Sequence, residues 1–215
     1  MSAEHMISMP RINEPAPQFI AQSTHGEIKL DSYRGKWVVL FSHPADFTPV
    51  CTTEFVGFAK AAPEFEKLHT QLIGISIDSV YSHIAWIRNI EQHFDVKITF
   101  PLIADINMAV ASRYGMIHPG ASATATVRAV FVIDPQQTIR AILYYPLTTG
   151  RMVEEIKRLV QALQLNTEKG LATPEGWKPG DQCIVPPPLT QKEAEVRLKS
   201  NYEVTDWYFS KTMPD

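Results

Sequence analysis

Trp37-Val38-Val39-Leu40-Phe41-Ser42 runs directly into His43-Pro44-Ala45-Asp46-Phe47-Thr48-Pro49-Val50-Cys51. The first six residues form an apolar run of strand length. Thr48 followed by Pro49 marks a helix start, with Thr as N-cap and Pro at the first helical position. A buried strand feeding a helix through a short turn is the unit from which α/β folds are built. It places Cys51 in the first helical turn, where unpaired backbone N–H groups and the helix dipole favour an anion. Those conditions favour the thiolate, the reactive form of cysteine. Glu54 adds a carboxylate one turn on, able to hold a nearby cation.

Outward from this centre the pattern repeats. Phe55, Phe58, Ala59, Ala62 and Phe65 mark the apolar face of the Cys51 helix, and Leu72–Asp78 reads as a second strand. Ser79 or Ser82 caps a helix expected to carry Ile84, Ile87, Ile90 and Phe94. A strand near Thr99–Ile103 and a helix around Asn107–Tyr114 follow. Val127–Asp134 and Thr138–Tyr145 flank Pro135-Gln136-Gln137 as a hairpin, and Gly150–Leu165 carries Val153, Ile156, Leu159, Val160 and Leu163 on one helical face. This order predicts an α/β fold with a mixed sheet.

Residues 166–215 differ. Pro186-Pro187-Pro188 is extended, and Thr190-Gln191-Lys192-Glu193 is a capping box opening a short helix. With so few periodic apolar positions the segment cannot bury a core alone. Trp177, Tyr202, Trp207, Tyr208 and Phe209 nevertheless need cover. An arm packed on the main domain or on a second subunit meets both requirements, so the expected division is 1–165 and 166–215, with the arm as a dimer contact.

The 215 residues suffice for one buried core plus an appendage. Net charge is −3 with no Lys/Arg-rich run, which argues against nucleic acid as a partner. No apolar run approaches the roughly 20 residues that span a bilayer, and Met1–Pro17 has no apolar core of a secretory signal. Two cysteines are too few for a disulfide framework. The expectation is a soluble cytoplasmic protein.

The spacing Pro44-x-x-x-Thr48-x-x-Cys51-x-x-Glu54 resembles the active-site motif of the peroxiredoxins, and Phe41–Glu54 resembles that of their one-Cys class. Three further segments match in order: Glu14–Phe19, Val127–Asp134 with its arginine, and Thr173–Asp181 in the C-terminal extension. The resemblance implies a thioredoxin-like sandwich with a C-terminal extension arm. It implies a thiol-dependent peroxidase acting on hydrogen peroxide and organic hydroperoxides through a Cys51 sulfenic acid. It implies reduction by an external thiol of thioredoxin, glutathione or small-thiol type, and a homodimer or a ring of dimers. No cofactor is expected, and without a tight His/Cys cluster in the sequence no metal site is expected either.

The residues fit that chemistry. Full ionisation of a thiol gains only about 30-fold in rate at neutral pH, and reduced nucleophilicity cancels part of it. Donors aimed at the developing oxyanion contribute roughly 10²–10³-fold each, so they must dominate. Thr48 offers a hydroxyl one turn before Cys51. Arg128 is a charge inside an apolar strand, where it needs anionic partners such as Cys51 and Glu54. Pro44 cannot donate, and its ring can shield the sulfur. The resemblance adds Arg151 as a second arginine at the site and His43 as a residue lining it. His93 and His118 read as surface residues.

Lys36 occupies the position of a nucleophilic serine that some relatives carry in a lipase motif, so phospholipase activity is not expected. A non-catalytic scaffold would not require Pro44, Thr48, Cys51 and Arg128 together. A thioredoxin-type reductase would require a Cys-x-x-Cys that is missing around Cys51. Cys183, in an apolar strand-like segment, reads as a small buried hydrophobe rather than a resolving thiol.

Overall fold

The computed structural model describes residues 9–214; residues 1–8 of the segment read for a secretory signal lie outside them. Two compact units are distinguished, one reaching to Val153 and the other running from Glu154. The sequence division was placed at residue 165, whereas these units divide ahead of the last long helix.

The first unit is a seven-stranded mixed sheet. Its strands are β1 (Ile20–Ser23), β2 (Gly26–Lys29), β3 (Trp37–Ser42), β4 (Thr70–Ser76), β5 (Leu102–Ala104), β6 (Arg128–Ile133) and β7 (Ile139–Tyr145). They lie in the order β2-β1-β5-β4-β3-β6-β7. β3 runs parallel to β4, β4 runs parallel to β5, and β6 lies antiparallel against β3. The helices are α1 (Pro49–Lys67), α2 (Val80–Phe94) and the short α3 (Ala109–Arg113). α1 packs on β4, α2 on β5, and the two helices on each other.

The period-2 alternation of β3 explains why the entire strand is apolar. Val38 and Leu40 join Ile73, Ile75, Ile103, Tyr114 and Phe131 in one core cluster. Phe41, of opposite parity, stacks on Phe58 of α1 with ring centroids 4.0 Å apart and meets Phe55 at 5.5 Å. Both faces of the strand are therefore buried, as expected for the middle of an α/β sheet.

The hairpin β1–β2 was not anticipated, because Ile20-Ala21-Gln22-Ser23 alternates only weakly and Ile20 stays exposed. The face expected for α2 is corrected. His83, Trp86 and Ile90 are its buried residues, while Ile84 and Phe94 are exposed. The buried stripe is rotated because His83 and Trp86, not Ile84, meet polar and aromatic partners inside. In α1, Ala61 is buried and Ala62 only half-buried.

The second unit contains α4 (Val153–Lys169), β8 (Cys183–Ile184), α5 (Gln191–Arg197), β9 (Glu203–Asp206) and β10 (Phe209–Thr212). The strands form a small antiparallel sheet in the order β8-β10-β9. Thr190 and Glu193 form the capping box expected of them. Trp177, Cys183 and Ala162 make a compact cluster with Leu165 and Leu171. α4 supplies Ala162 and Leu165, so the segment after residue 166 does not build this cluster alone. Tyr202, Trp207 and Tyr208 remain 42–55% exposed.

Candidate active site

Thr48 takes extended backbone angles ahead of α1 and Pro49 opens the helix, which carries Cys51 into the first turn with its side chain fully buried. The Thr48 hydroxyl does not cap the helix. It donates to the carbonyl of Ala45 at 2.9 Å, which leaves its oxygen lone pairs to accept. Phe47, just before it, has φ +55° and is exposed. That is an uncommon conformation for a bulky residue, of the kind retained at functional turns. Pro44 is half-buried in the same turn.

Two arginines converge on the helix from other elements. Arg128, the first residue of β6, is buried and donates through Nη1 to Cys51 Sγ at 3.3 Å and to Glu54 Oε2 at 2.7 Å. Its Nε and Nη2 are both used on the carbonyl of Leu147, at 3.0 and 2.8 Å, which fixes the fork. Arg151 wraps the same carboxylate. Its backbone N and Nε donate to Glu54 Oε1 at 2.8 Å each, and Nη2 donates to Oε2 at 2.7 Å. Its Nη1 donates to the carbonyls of Ser42 and Ala129 at 2.8 and 2.9 Å. Gly150 lets this loop lie against α1, since a Cβ there would come within 3.3 Å of Val50 Cγ1.

Burial would raise the Glu54 carboxyl, but the Arg151 hydrogen bonds and charge, followed by the Arg128 charge, hold it below the usual carboxylate range. Two guanidiniums face one carboxylate. One positive charge is left over, and a Cys51 thiolate would neutralise it.

A further cluster lies behind His43, which directly follows β3. His43 Nε2 faces Asp46 Oδ1 at 2.9 Å, and His83 Nδ1 faces Asp46 Oδ2 at 2.8 Å, all three residues being buried. These atoms are close enough to suggest a cation site. However, each facing pair is already at hydrogen-bond distance, and the other nitrogen of His83 bonds the carbonyl of Ile103 at 3.0 Å. A metal held at about 2.0–2.1 Å by imidazole would have to displace those bonds, so the cluster reads as a hydrogen-bond relay. Asp46 and His83 were not singled out from the sequence. The available signal was a histidine one turn before Trp86, in a helix otherwise read for Ile84, Ile87, Ile90 and Phe94.

Residues 12–142 match the AhpC/TSA family, and residues 162–201 match the C-terminal domain of 1-Cys peroxiredoxin. A peroxiredoxin of Aquifex aeolicus is 56% identical over 96% of this chain and 98% of its own length. The chain belongs to the peroxiredoxins. A peroxiredoxin of Methanosarcina mazei is 52% identical over 93% of this chain and 96% of its own. Among solved structures, a yeast mitochondrial 1-Cys peroxiredoxin superposes with a TM-score of 0.86 at 43% identity, covering 95% of this chain and 100% of that one. Peroxiredoxin 6 of Arenicola marina, solved as a cysteine-to-serine mutant, gives 0.86 at 36% identity, covering 95% and 98%. Peroxiredoxins are thiol peroxidases, and this one is a one-Cys enzyme of thioredoxin-like fold that reduces peroxide with electrons from a thiol.

Of the residues expected at the peroxiredoxin site, Cys51, Glu54, Arg128 and Arg151 are joined in one hydrogen-bonded group. Thr48 and Pro44 lie in the turn that delivers Cys51. His43 is tied to the group through its neighbour, since Arg151 holds the carbonyl of the preceding Ser42. His93 is exposed, and His118 is half-buried over the Tyr144 ring at 5.1 Å.

Proposed function

We propose that Cys51 is the peroxidatic thiol and that Arg128, Thr48 and Pro44 form the catalytic set around it, supported by Glu54, Arg151 and His43. The observation that carries this reading is the Arg128 N–H held 3.3 Å from the sulfur while its partner Glu54 bridges both arginines. The thiolate attacks one oxygen of a hydroperoxide ROOH. The S–O bond forms as the O–O bond breaks, giving Cys51 sulfenic acid and RO⁻, which takes a proton to leave as ROH. Arg128 faces the sulfur and the charge developing beyond it. With its proton on Ala45, Thr48 acts as an acceptor and orients the O–H of the peroxide. Pro44 offers no donor and keeps water from the sulfur.

An external thiol then condenses with the sulfenic acid, releasing water and forming a mixed disulfide, and a second thiol releases Cys51 as its own disulfide forms. Thioredoxin- or glutathione-type thiols suit this step. The yeast mitochondrial relative is resolved through glutathione and thioredoxin systems. We place the protein in the cytoplasm as a homodimer or a ring of dimers, without nucleic acid or membrane partners. Among the described residues no helix is long and apolar enough to cross a membrane. The partly exposed Tyr202, Trp207 and Tyr208 of the second unit supply an aromatic surface suited to a second copy.

Peroxide consumption with a general dithiol reductant tests the core of this reading. Cys51→Ser, near-isosteric but not ionised at neutral pH, should lose all turnover, and residual activity above a tenth of wild type would refute it. A monomer by light scattering at micromolar concentration would refute the assembly.

A further inference from the structure

The relay behind His43 fixes where its protons sit. His83 Nε2 faces the carbonyl of Ile103, and a carbonyl only accepts, so Nε2 carries a proton. Burial works against the ionised Asp46 carboxyl, but the hydrogen bonds and charges of His43 and His83 outweigh it and hold that carboxyl well below the usual range. Asp46 is therefore a carboxylate, which also only accepts. It follows that His43 Nε2 donates to Asp46 Oδ1, while His83 Nδ1 engages Oδ2 of the same carboxylate. Burial, above all, pushes the His43 imidazole down despite Asp46, so its single ring proton is the one given to Asp46. Its Nδ1 is buried and finds no partner among the described residues. That atom is a bare lone pair.

We propose that Asp46 and His83 are positioning residues of the peroxidase site: they hold His43 with its proton on Nε2 and leave Nδ1 free to accept from an O–H brought to Cys51. The inference rests on His43 lining the site. Its backbone is locked there, with its N–H on Ile75 at 3.0 Å and its carbonyl accepting from Thr126 Oγ1 at 2.7 Å. Its ring lies 4.9 Å from Phe55, one turn beyond Cys51, and 5.0 Å from Trp86, with an interplanar angle of 27°. The ring can therefore neither swing nor flip freely. The titratable groups facing it are Asp46 and His83, with Asp78 behind, whose Oδ2 accepts from the Asp46 N–H. From α1 and α2 the ring meets Phe55 and Trp86, which carry no charge.

The need for two histidines follows from charge. A buried carboxylate facing one imidazole would draw a second proton onto it, and His43 Nδ1 would become a donor. His83 shares that carboxylate, holding its other oxygen at 2.8 Å, so the pull on His43 is divided and Nδ1 stays an acceptor.

Long-range proton–nitrogen NMR of the reduced protein reads the tautomer directly and needs no variant. It should show His43 protonated at Nε2 and bare at Nδ1 from about pH 6 to 8; a protonated Nδ1 would overturn the proposal. In His83→Gln the carboxylate faces a single imidazole, and His43 should take up a second proton on Nδ1. Oxidation of Cys51 by peroxide, followed by stopped flow, should then fall about tenfold near pH 6 and recover toward pH 8. In Asp46→Asn the amide can donate to Nε2, displacing the proton to Nδ1 and slowing oxidation about tenfold at every pH. An unchanged His43 tautomer in both variants would overturn the relay. The expected tautomers with rates within twofold of wild type would instead show that His43 does not serve the site.

Discussion

Arg128 reaches Cys51 across the sheet, from the start of β6 to the first turn of α1, with Nη1 3.3 Å from Sγ. The same nitrogen is bonded to Glu54, and the other two guanidinium nitrogens are bonded to Leu147. The contact to sulfur is thus a fixed feature rather than one rotamer among several. A donor that need not reorganise as charge develops is the arrangement that stabilises a transition state most.

Arg128→Met should slow oxidation of Cys51 by about 10²-fold or more, measured by stopped flow with hydrogen peroxide. Three of the four bonds to Glu54 come from Arg151 and survive the change, so the fold should persist. A change under threefold would make Arg128 structural.

Arg151 should behave in the opposite way. It makes no recorded bond to the sulfur, but it supplies most of the Glu54 shell and ties the ends of β3 and β6 through Ser42 and Ala129. Arg151→Met removes one partner of a buried ion pair and should cost about 3–5 kcal/mol of stability, seen as a lower urea midpoint. A midpoint shift of under 1 kcal/mol would show that these bonds contribute little.

How far such a site can be read from the sequence depends on where each signal is local. Strand β3, the Thr48-Pro49 helix start and Cys51 lie within fifteen consecutive residues, and their reading needs only periodicity and capping rules. Arg128 stands out as a charge in an apolar strand. Arg151 shows no such contrast, because a Gly-Arg pair before a helix has the look of a surface turn, and only the resemblance pointed to it. Its burial depends on the close approach that Gly150 permits. The relay was hidden for a similar reason. Asp46 and His83 are 37 residues apart and meet only once α2 is packed on β5 and α1. The β8-β10-β9 sheet is short and irregular, with a register shift between Phe209 and Ser210, which leaves no clean alternation to detect.

Stability should fall with acid in two stages. The His43 imidazole is lower in the fold than its ordinary value of about 6.5. As pH drops below that value the unfolded chain binds the proton first, and stability declines. The Glu54 and Asp46 carboxyls are likewise lower in the fold. Their contribution is complete above the unfolded carboxylate range near pH 4 and is lost as pH falls through it toward the folded values. All three act with the same sign, each giving at most about 1.4 kcal/mol per pH unit in its window. Urea unfolding from pH 7 to 3 should show decline beginning near pH 6.5 and steepening near pH 4. A flat profile across that range would contradict the assigned charge states.

The final prediction concerns Cys183, the second of the two free thiols. It is fully buried in β8 beside Trp177 and Ala162, with its sulfur 3.7 Å from the carbonyl of Asp181. Burial, above all, pushes this thiol up, partly offset by Trp177. Such a thiol is a small hydrophobe and a poor nucleophile. A resolving cysteine needs the reverse, a thiolate able to attack a sulfenic acid and to close a bond of about 2 Å. Without one, the sulfenic acid on Cys51 waits for an external thiol, and excess peroxide should drive it to sulfinic acid. Cys183→Ser should therefore leave turnover with an external thiol within about twofold of wild type. One equivalent of peroxide, followed by alkylation and mass analysis without reductant, should yield oxidised Cys51 and alkylated Cys183. A dominant disulfide between the two, within one chain or between two, would replace the one-Cys cycle with an internally resolved one.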